Sequence, residues 1–322
     1  MKSIPKILKV VSIAFIVSIG SLLAGACSTV EEDYSTPIRI GLLPIIDAVP
    51  FYAAEEDGLF EDLNVELITF SSAQERNVAL QTGNIDAQLA DLIATGLLNK
   101  ETHLVQIVKT TYRANEKIGM IALVAGKDSG ITTMSDLIGN EVGISSNSLI
   151  EYHLDQYLDE AGIDRSAVIK QEVASIPTRM ELLMQGTLKT GILPEPLTTL
   201  AVNAGGIIIM DDQDSRLGLS VLAFDTSFIE AHPVLVGKIV RIHDVSIKNI
   251  NSNPAKYQHL LSEKARLPEV LKETFKMPPF PVGNVPSKAE IEKSNKWLKE
   301  KGLIEAIRPY DEVVNNSFLE GS

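Results

Sequence analysis

The sequence predicts an α/β protein of two lobes, each a mostly parallel sheet flanked by helices, with two hinge crossings between them. Three observations predict it. From residue 38 onward, short apolar strands alternate with helices of about ten residues, the grammar of βαβ units. The alternation then restarts at residue 142 with the same landmarks. Gly41 recurs as Gly143, Gly58 as Gly162, Arg76 as Arg179, Gly83 as Gly186 and Asp91 as Glu195, at offsets of 102 to 104. After residue 220 the pattern gives way to a long amphipathic helix and a loop-rich tail.

The elements follow in order. "IRIGLLP" reads as a strand, "AVPFYAAEEDGLF" as a helix ended by Gly58, "VELITF" as a strand and "SSAQERNVALQTG" as a helix ended by Gly83. "IDAQLA" is a strand running to Asp91, followed by a helix near "LIATGLLNKE" and the strand "LVQIVKTTY". In the second passage "VGISS" is a strand and "SLIEYHLDQYLDEAG" a helix with apolar positions 149, 150, 154, 157 and 158 on one face. "AVIKQEVA", "PTRMELLMQG", "TGILPE", "PLTTLAVNAGG" and "IIIMD" continue the alternation. "SVLAF" is a last strand, and "SFIEAHPVLVGKIVRIHDVSIKNINSNP" reads as one long helix ended by Asn253–Pro254. The crossings are expected near residues 118–127 and 218–224. Lobe 1 is then 38–118 with 222–322, and lobe 2 is 119–221.

The N-terminus is a separate matter. Lys2, Lys6 and Lys9 precede the apolar run "VVSIAFIVSIGSLLAG", which has the length of a secretory signal and is short for a membrane span. "LAGAC" resembles a bacterial lipoprotein signal, with Ala24 in place of the usual leucine. The resemblance implies cleavage after residue 26 and lipid on Cys27, with residues 27–37 as a polar tether. Two-chain lipidation would anchor the protein stably to a membrane.

Composition excludes several functions. Cys27 is the only cysteine, so the mature chain forms no internal disulfide, thiolate metal site or cysteine nucleophile. Without the signal, 26 basic residues face 42 acidic ones, a formal charge of −16 that argues against nucleic acid as a partner. His103, His153, His232, His243 and His259 are scattered, without metal-ligand spacing. Glycine-rich phosphate loops and G-x-S-x-G elbows are absent from the sequence. No cofactor is expected.

The ordered features resemble the solute-binding proteins of bacterial ABC importers, of the nitrate, sulfonate and taurine type. "AEEDGLF", "ALQTGNIDAQLAD", "VGISSNS", "LPEP", and "FIEAHPVLV" followed by "INSNP" carry the resemblance, over about residues 38–320. It implies a type II periplasmic binding protein fold and an exported monomer. Such a protein takes a small solute between its lobes and delivers it to a permease and its ATPase, without catalysis. Alternatives are an enzyme of the same fold, of the menaquinone- or thiamine-precursor type, or a ligand-sensing lipoprotein.

Ligands of parallel α/β sheets sit beyond the strands' carboxyl ends, so Asp91 and Glu195 are expected to approach one cleft from opposite sides. The loops carrying Asp47 and Ser145, Ser146 and Asn147 belong with them. Ser71 and Ser72 precede a helix and could meet a ligand or, with Glu75, form a capping box; Thr178 with Glu181 repeats that spacing. Of Phe51 and Tyr52, one is expected to face the cleft. Tyr112 and Tyr152 are candidate stacking walls. Arg76 and Arg179, at equivalent positions, could hold an anion with forked hydrogen bonds. Asp47, Asp91 and Glu195 point instead to a cationic or hydroxyl-rich ligand, so the ligand's charge stays open.

Overall fold

The computed structural model describes residues 33–115 and 118–319. The signal, Cys27 and the first part of the tether lie outside the described residues. The predicted strands form two five-stranded sheets of identical design. The first comprises β1 (Ile38–Leu42), β2 (Val65–Thr69), β3 (Ala87–Asp91), β4 (Val105–Arg113) and β10 (Leu219–Asp225), in the order β2-β1-β3-β10-β4. The second comprises β5 (Ile121–Ala125), β6 (Glu141–Ile144), β7 (Ile169–Glu172), β8 (Thr190–Pro194) and β9 (Ile207–Asp211), in the order β7-β6-β8-β5-β9. In each sheet four strands run one way and one opposes them. The opposing strand is β10 in the first sheet and β5 in the second.

That exchange sets where the chain passes from one sheet to the other. Residues 121–125 and 219–225 are interior strands, and the crossings themselves are the short segments 114–120 and 212–218. The chain has therefore re-entered the first sheet before residue 222.

The helices are α1 (Val49–Glu56), α2 (Ala73–Gln81), α3 (Leu92–Leu98), α4 (Leu149–Glu160), α5 (Ile176–Met184), α6 (Leu197–Asn203), α7 (Thr226–Ala231), α8 (Pro233–Ser252), α9 (Gln258–Glu263), α10 (Lys288–Glu300) and α11 (Tyr310–Val313). Gly83 and Gly186 follow α2 and α5 with φ of +69° and +72°, the left-handed conformation in which a helix stops at little cost. The helix expected over 227–254 is two helices. Pro233 disfavours the α conformation at His232, which sits at φ −133° and ψ 51° and breaks the chain there.

The described residues from Tyr34 onward pack as one unit. A single apolar cluster runs from Ile40 and Tyr112 through Met120 to Ile144 and Tyr157, so the two sheets share a core. The tail covers the outer edge of β4 through Thr110 N–H to Asn284 O (2.8 Å) and an Ile107–Val314 bridge. It also reaches the second sheet's layer. Trp297 Nε1 on α10 donates to Asp155 Oδ2 on α4 at 2.9 Å, and Lys301 pairs with Glu151 at 2.5 Å. Among the described residues no helix is long and apolar enough to cross a membrane.

Candidate functional site

The duplicated landmarks have a packing reason. A Cβ on Gly41 would lie 2.5 Å from Ile85 Cδ1 and 3.1 Å from Arg76 Cγ. A Cβ on Gly143 would collide with Leu188 and lie 3.2 Å from Arg179 Cγ. In both halves the glycine lets an arginine stem lie against the first strand, on its way to the strand tips. The two guanidinium groups then diverge. Arg179 donates to Val173 O (2.8 and 3.2 Å), Ile192 O (2.6 Å) and Ser145 Oγ (2.5 Å), tying the tips of β6, β7 and β8 together. It is fully buried, and burial lowers its pKa to about 10. Arg179 therefore braces the sheet and has no fork to offer an anion, contrary to expectation.

Arg76 is 3% exposed, and its Nε has no hydrogen-bond partner among the described residues. It lies between the fields of Asp91 and Asp47, which oppose the lowering of its pKa by burial. The register places Asp91, Ser220 and Tyr112 side by side on β3, β10 and β4. Asp47, in a single 3-10 turn at Ile46–Ala48, belongs to the same group. Burial pushes the Asp47 carboxyl up to about 6, against the pull of Ser220 and Arg76. Asp47 Oδ1 and the Tyr112 hydroxyl are buried without a partner among the described residues. Glu195 from the second sheet adds to the field on Tyr112. Asp47, Arg76, Asp91, Tyr112 and Glu195 are thus brought together between the sheets.

Helix N-termini that face this region already hold the chain's own carboxylates. Asp91 Oδ1 accepts from Ile93 N and Ala94 N (both 2.9 Å) at α3, and Glu195, before a cis peptide to Pro196, accepts from Thr199 N (3.1 Å) at α6. At α4, Asn147 N donates to Glu151 (2.7 Å) and Ser146 N to Glu172 (2.8 Å). Ser145 donates to Ala174 O at 3.0 Å. The 145–147 loop is therefore satisfied internally. Burial raises the pKa of both Asp91 and Glu195.

Other expected contacts are structural. Ser72 caps α2 by accepting from Glu75 N (3.2 Å), Glu75 accepts in turn from Ser71 N (3.2 Å) rather than from Ser72 N, and both serines are exposed. Thr178 is not a cap, because α5 starts earlier and Ser175 caps it. Phe51 is buried against the His243 ring at 4.7 Å, and Tyr52 bonds Thr69 Oγ1 at 2.6 Å beneath the Lys264 ammonium. Both aromatic residues therefore belong to the packing of the first half.

A cavity of about 520 Å³ lies beside the polar cluster, where layers of both sheets meet the second crossing. Its size is that of a small-molecule site. Leu92 at the start of α3, Arg113 at the end of β4, and Glu290 and Lys293 on α10 form one wall. Leu149 and Tyr152 on α4, residues 215–217 and Leu219 complete the lining with Asn284, Val285 and Ser287. Tyr152 stands edge-on to Trp297, centroids 5.5 Å apart, and presents only part of its side chain. Arg113 pairs with Glu290 at 2.5 Å. Among the described residues the charged lining is Arg113, paired with Glu290, together with Arg216 and Lys293. Among the described residues no group of three or more metal-ligating side chains occurs.

Sequence reasoning missed Arg113, Arg216, Glu290 and Lys293. Arg113 follows the expected strand-end Tyr112 and was within reach of the same rule. The others depend on how the crossing and the tail wrap back.

The profile of the NMT1-like family matches residues 31–259, well over half of the chain. The chain belongs to the NMT1-like family. None of the curated proteins compared matches it. Among solved structures, this NMT1-like chain is similar to the ligand-binding component of an ABC-type import system from Staphylococcus aureus, with zinc bound. The TM-score is 0.74 at 16% identity, covering 89% of this chain and 99% of that one. It is also similar to the alkanesulfonate-binding protein of Xanthomonas axonopodis pv. citri bound to MOPS, with TM-score 0.72 and 15% identity over 87% and 98% of the two chains. A desulfurization enzyme matches at TM-score 0.69 and 14% identity, over 88% and 97%. At these identities the likeness is one of fold, the periplasmic binding protein fold.

Proposed function

We propose that the protein is the solute-binding component of an ABC importer, and that it takes a small organic anion into the cavity between its sheets. The observation that carries this reading is the cavity itself, walled by both layers and by a crossing. A solute that touches both walls favours the arrangement in which they are close. We read residues 34–113 with 219–319 as one lobe and 121–211 as the other, closing on the solute and presenting it to a permease and its ATPase. The signal sequence and Cys27 support export and a lipid anchor, with the protein acting as a monomer.

The solute's charge follows from the lining. Leu92, Leu149, Leu217 and Leu219 suit an apolar body, and the Lys293 ammonium near the Arg113 guanidinium suits a carboxylate or sulfonate head. The alkanesulfonate-binding neighbour is consistent with that class. Binding at free helix N-termini is not part of the reading, since Asp91, Glu151, Glu172 and Glu195 occupy those donors. The protein is read as a binder and not as an enzyme, although the desulfurization enzyme shows that the fold admits catalysis.

A thermal-shift series with benzoate, benzenesulfonate and nitrate, against benzylamine and choline, tests this reading. A ligand at a hundred times its Kd adds about 2.7 kcal/mol of stability. Saturable stabilisation by an organic anion and not by the cations is expected. Stabilisation by the cations alone would overturn the assignment of charge, and turnover of a bound anion would move the protein to the enzyme class.

A further inference from the structure

Asp212 opens the second crossing and is fully buried. Its Oδ1 accepts from Met120 N (2.7 Å) and Ile121 N (3.1 Å), where the first crossing enters β5. Its Oδ2 accepts from Gly218 N (2.9 Å), where the second crossing enters β10. The same oxygen lies 3.3 Å from His153 Nε2 on α4, and His153 Nδ1 lies 2.8 Å from Leu149 O one turn back. One carboxylate thus joins both crossings and a helix of the second layer. The site is built around it, since a Cβ on Gly218 would collide with the carboxylate and one on Gly119 would lie 3.1 Å from Oδ1.

The elements joined here are also the cavity's walls. Leu149, whose carbonyl meets His153, and Tyr152 next to it lie on α4, and Leu217 and Leu219 flank Gly218. Asp212 itself is not among the lining residues. A buried carboxylate accepting several N–H bonds holds its partners in one geometry, because each bond lost leaves a buried polar group unsatisfied.

We propose that Asp212 is a positioning residue of the solute site, whose carboxylate fixes the two crossings and α4 in the arrangement that shapes the cavity. It sets solute affinity and the relative placement of the two sheets without touching solute. The affinity half rests on the cavity being the solute site; the placement half does not.

The test uses the mature chain with Cys27 replaced, spin-labelled at D62C and K189C, which lie exposed in the first and second halves. Asp212→Asn keeps the shape but halves the acceptor oxygens and puts an amide donor against N–H groups. Pulsed electron-spin distances are measured without solute, alongside benzoate affinity by calorimetry. His153→Gln is carried in parallel, so that a poorly folding Asp212→Asn leaves the question answerable. A narrow wild-type distance distribution that broadens or shifts in either variant is expected. A competent fraction cut to a tenth weakens apparent benzoate affinity about tenfold. Superimposable distributions in folded variants, with only a lowered Tm, would overturn the proposal. Broadened distributions with no benzoate binding even in the wild type would uphold the placement role and count against the anion-site reading.

Discussion

Replacing Asp47 with asparagine is expected to stabilise the folded protein at neutral pH. Asp47 is 4% exposed, and its Oδ1 has no partner among the described residues. Burial dominates its environment and raises its pKa from 3.8 to about 6. The folded state therefore holds the proton more tightly than the unfolded chain. Stability contributed by this group is present in full below the unfolded value and is lost as pH rises through the folded one. The gap, at about 1.36 kcal/mol per pH unit, amounts to about 3 kcal/mol above pH 7, an upper bound because Arg76 also loses a neighbouring charge. Asparagine keeps the shape and never ionises. Urea denaturation of both proteins at pH 7.5 and pH 4 is the assay. The variant should be more stable at pH 7.5, by up to about 3 kcal/mol, and the difference should fall below about 1 kcal/mol at pH 4. A variant less stable at pH 7.5, or a difference that does not change with pH, would refute the reasoning.

Other outcomes follow from the same geometry. Arg179→Met should cost about 3 kcal/mol or more in denaturant titrations, because Val173 O, Ile192 O and Ser145 lose their donor in a buried site. Arg76→Met should cost markedly less, since no sheet-bracing bonds are lost with it. Gly143→Ala should destabilise by about 1–3 kcal/mol through overpacking against Leu188 and the Arg179 stem, read as a lowered Tm. Lys293→Glu should weaken benzoate binding by about 1–2 kcal/mol, with a flatter salt dependence, and leave the Tm of the free protein close to that of the wild type.

Much of the fold was legible because it rests on local rules. Gly83 and Gly186 end their helices as read, and Asp91 and Glu195 sit at strand ends as the 102–104 spacing implied. The duplication itself turned out to record a packing device, glycine beneath an arginine stem. What the sequence could not show was long-range exchange. Residues 121–125 and 219–225 each insert into the middle of a sheet, a fact of topology with no local signature.

The site was legible in part for the same reason. Strand-end logic grouped Asp47, Arg76, Asp91, Tyr112 and Glu195, which form the polar cluster beside the cavity and do not line it; of the expected residues Tyr152 alone is in the lining. That logic could not separate Arg179 from Arg76, because that difference lies in which carbonyls surround each head group. Nor could it find Glu290 and Lys293, which reach the cavity only after the tail has wrapped past β4.

The most direct measurement of the central claim is a crystal structure of the protein grown with the anion that stabilises it most in the thermal-shift series. The account predicts that anion between Leu149 and Leu92, its charged head within hydrogen-bond distance of Arg113, Arg216 or Lys293. The anion bound elsewhere, with the cavity between the sheets filled only by solvent, would contradict it.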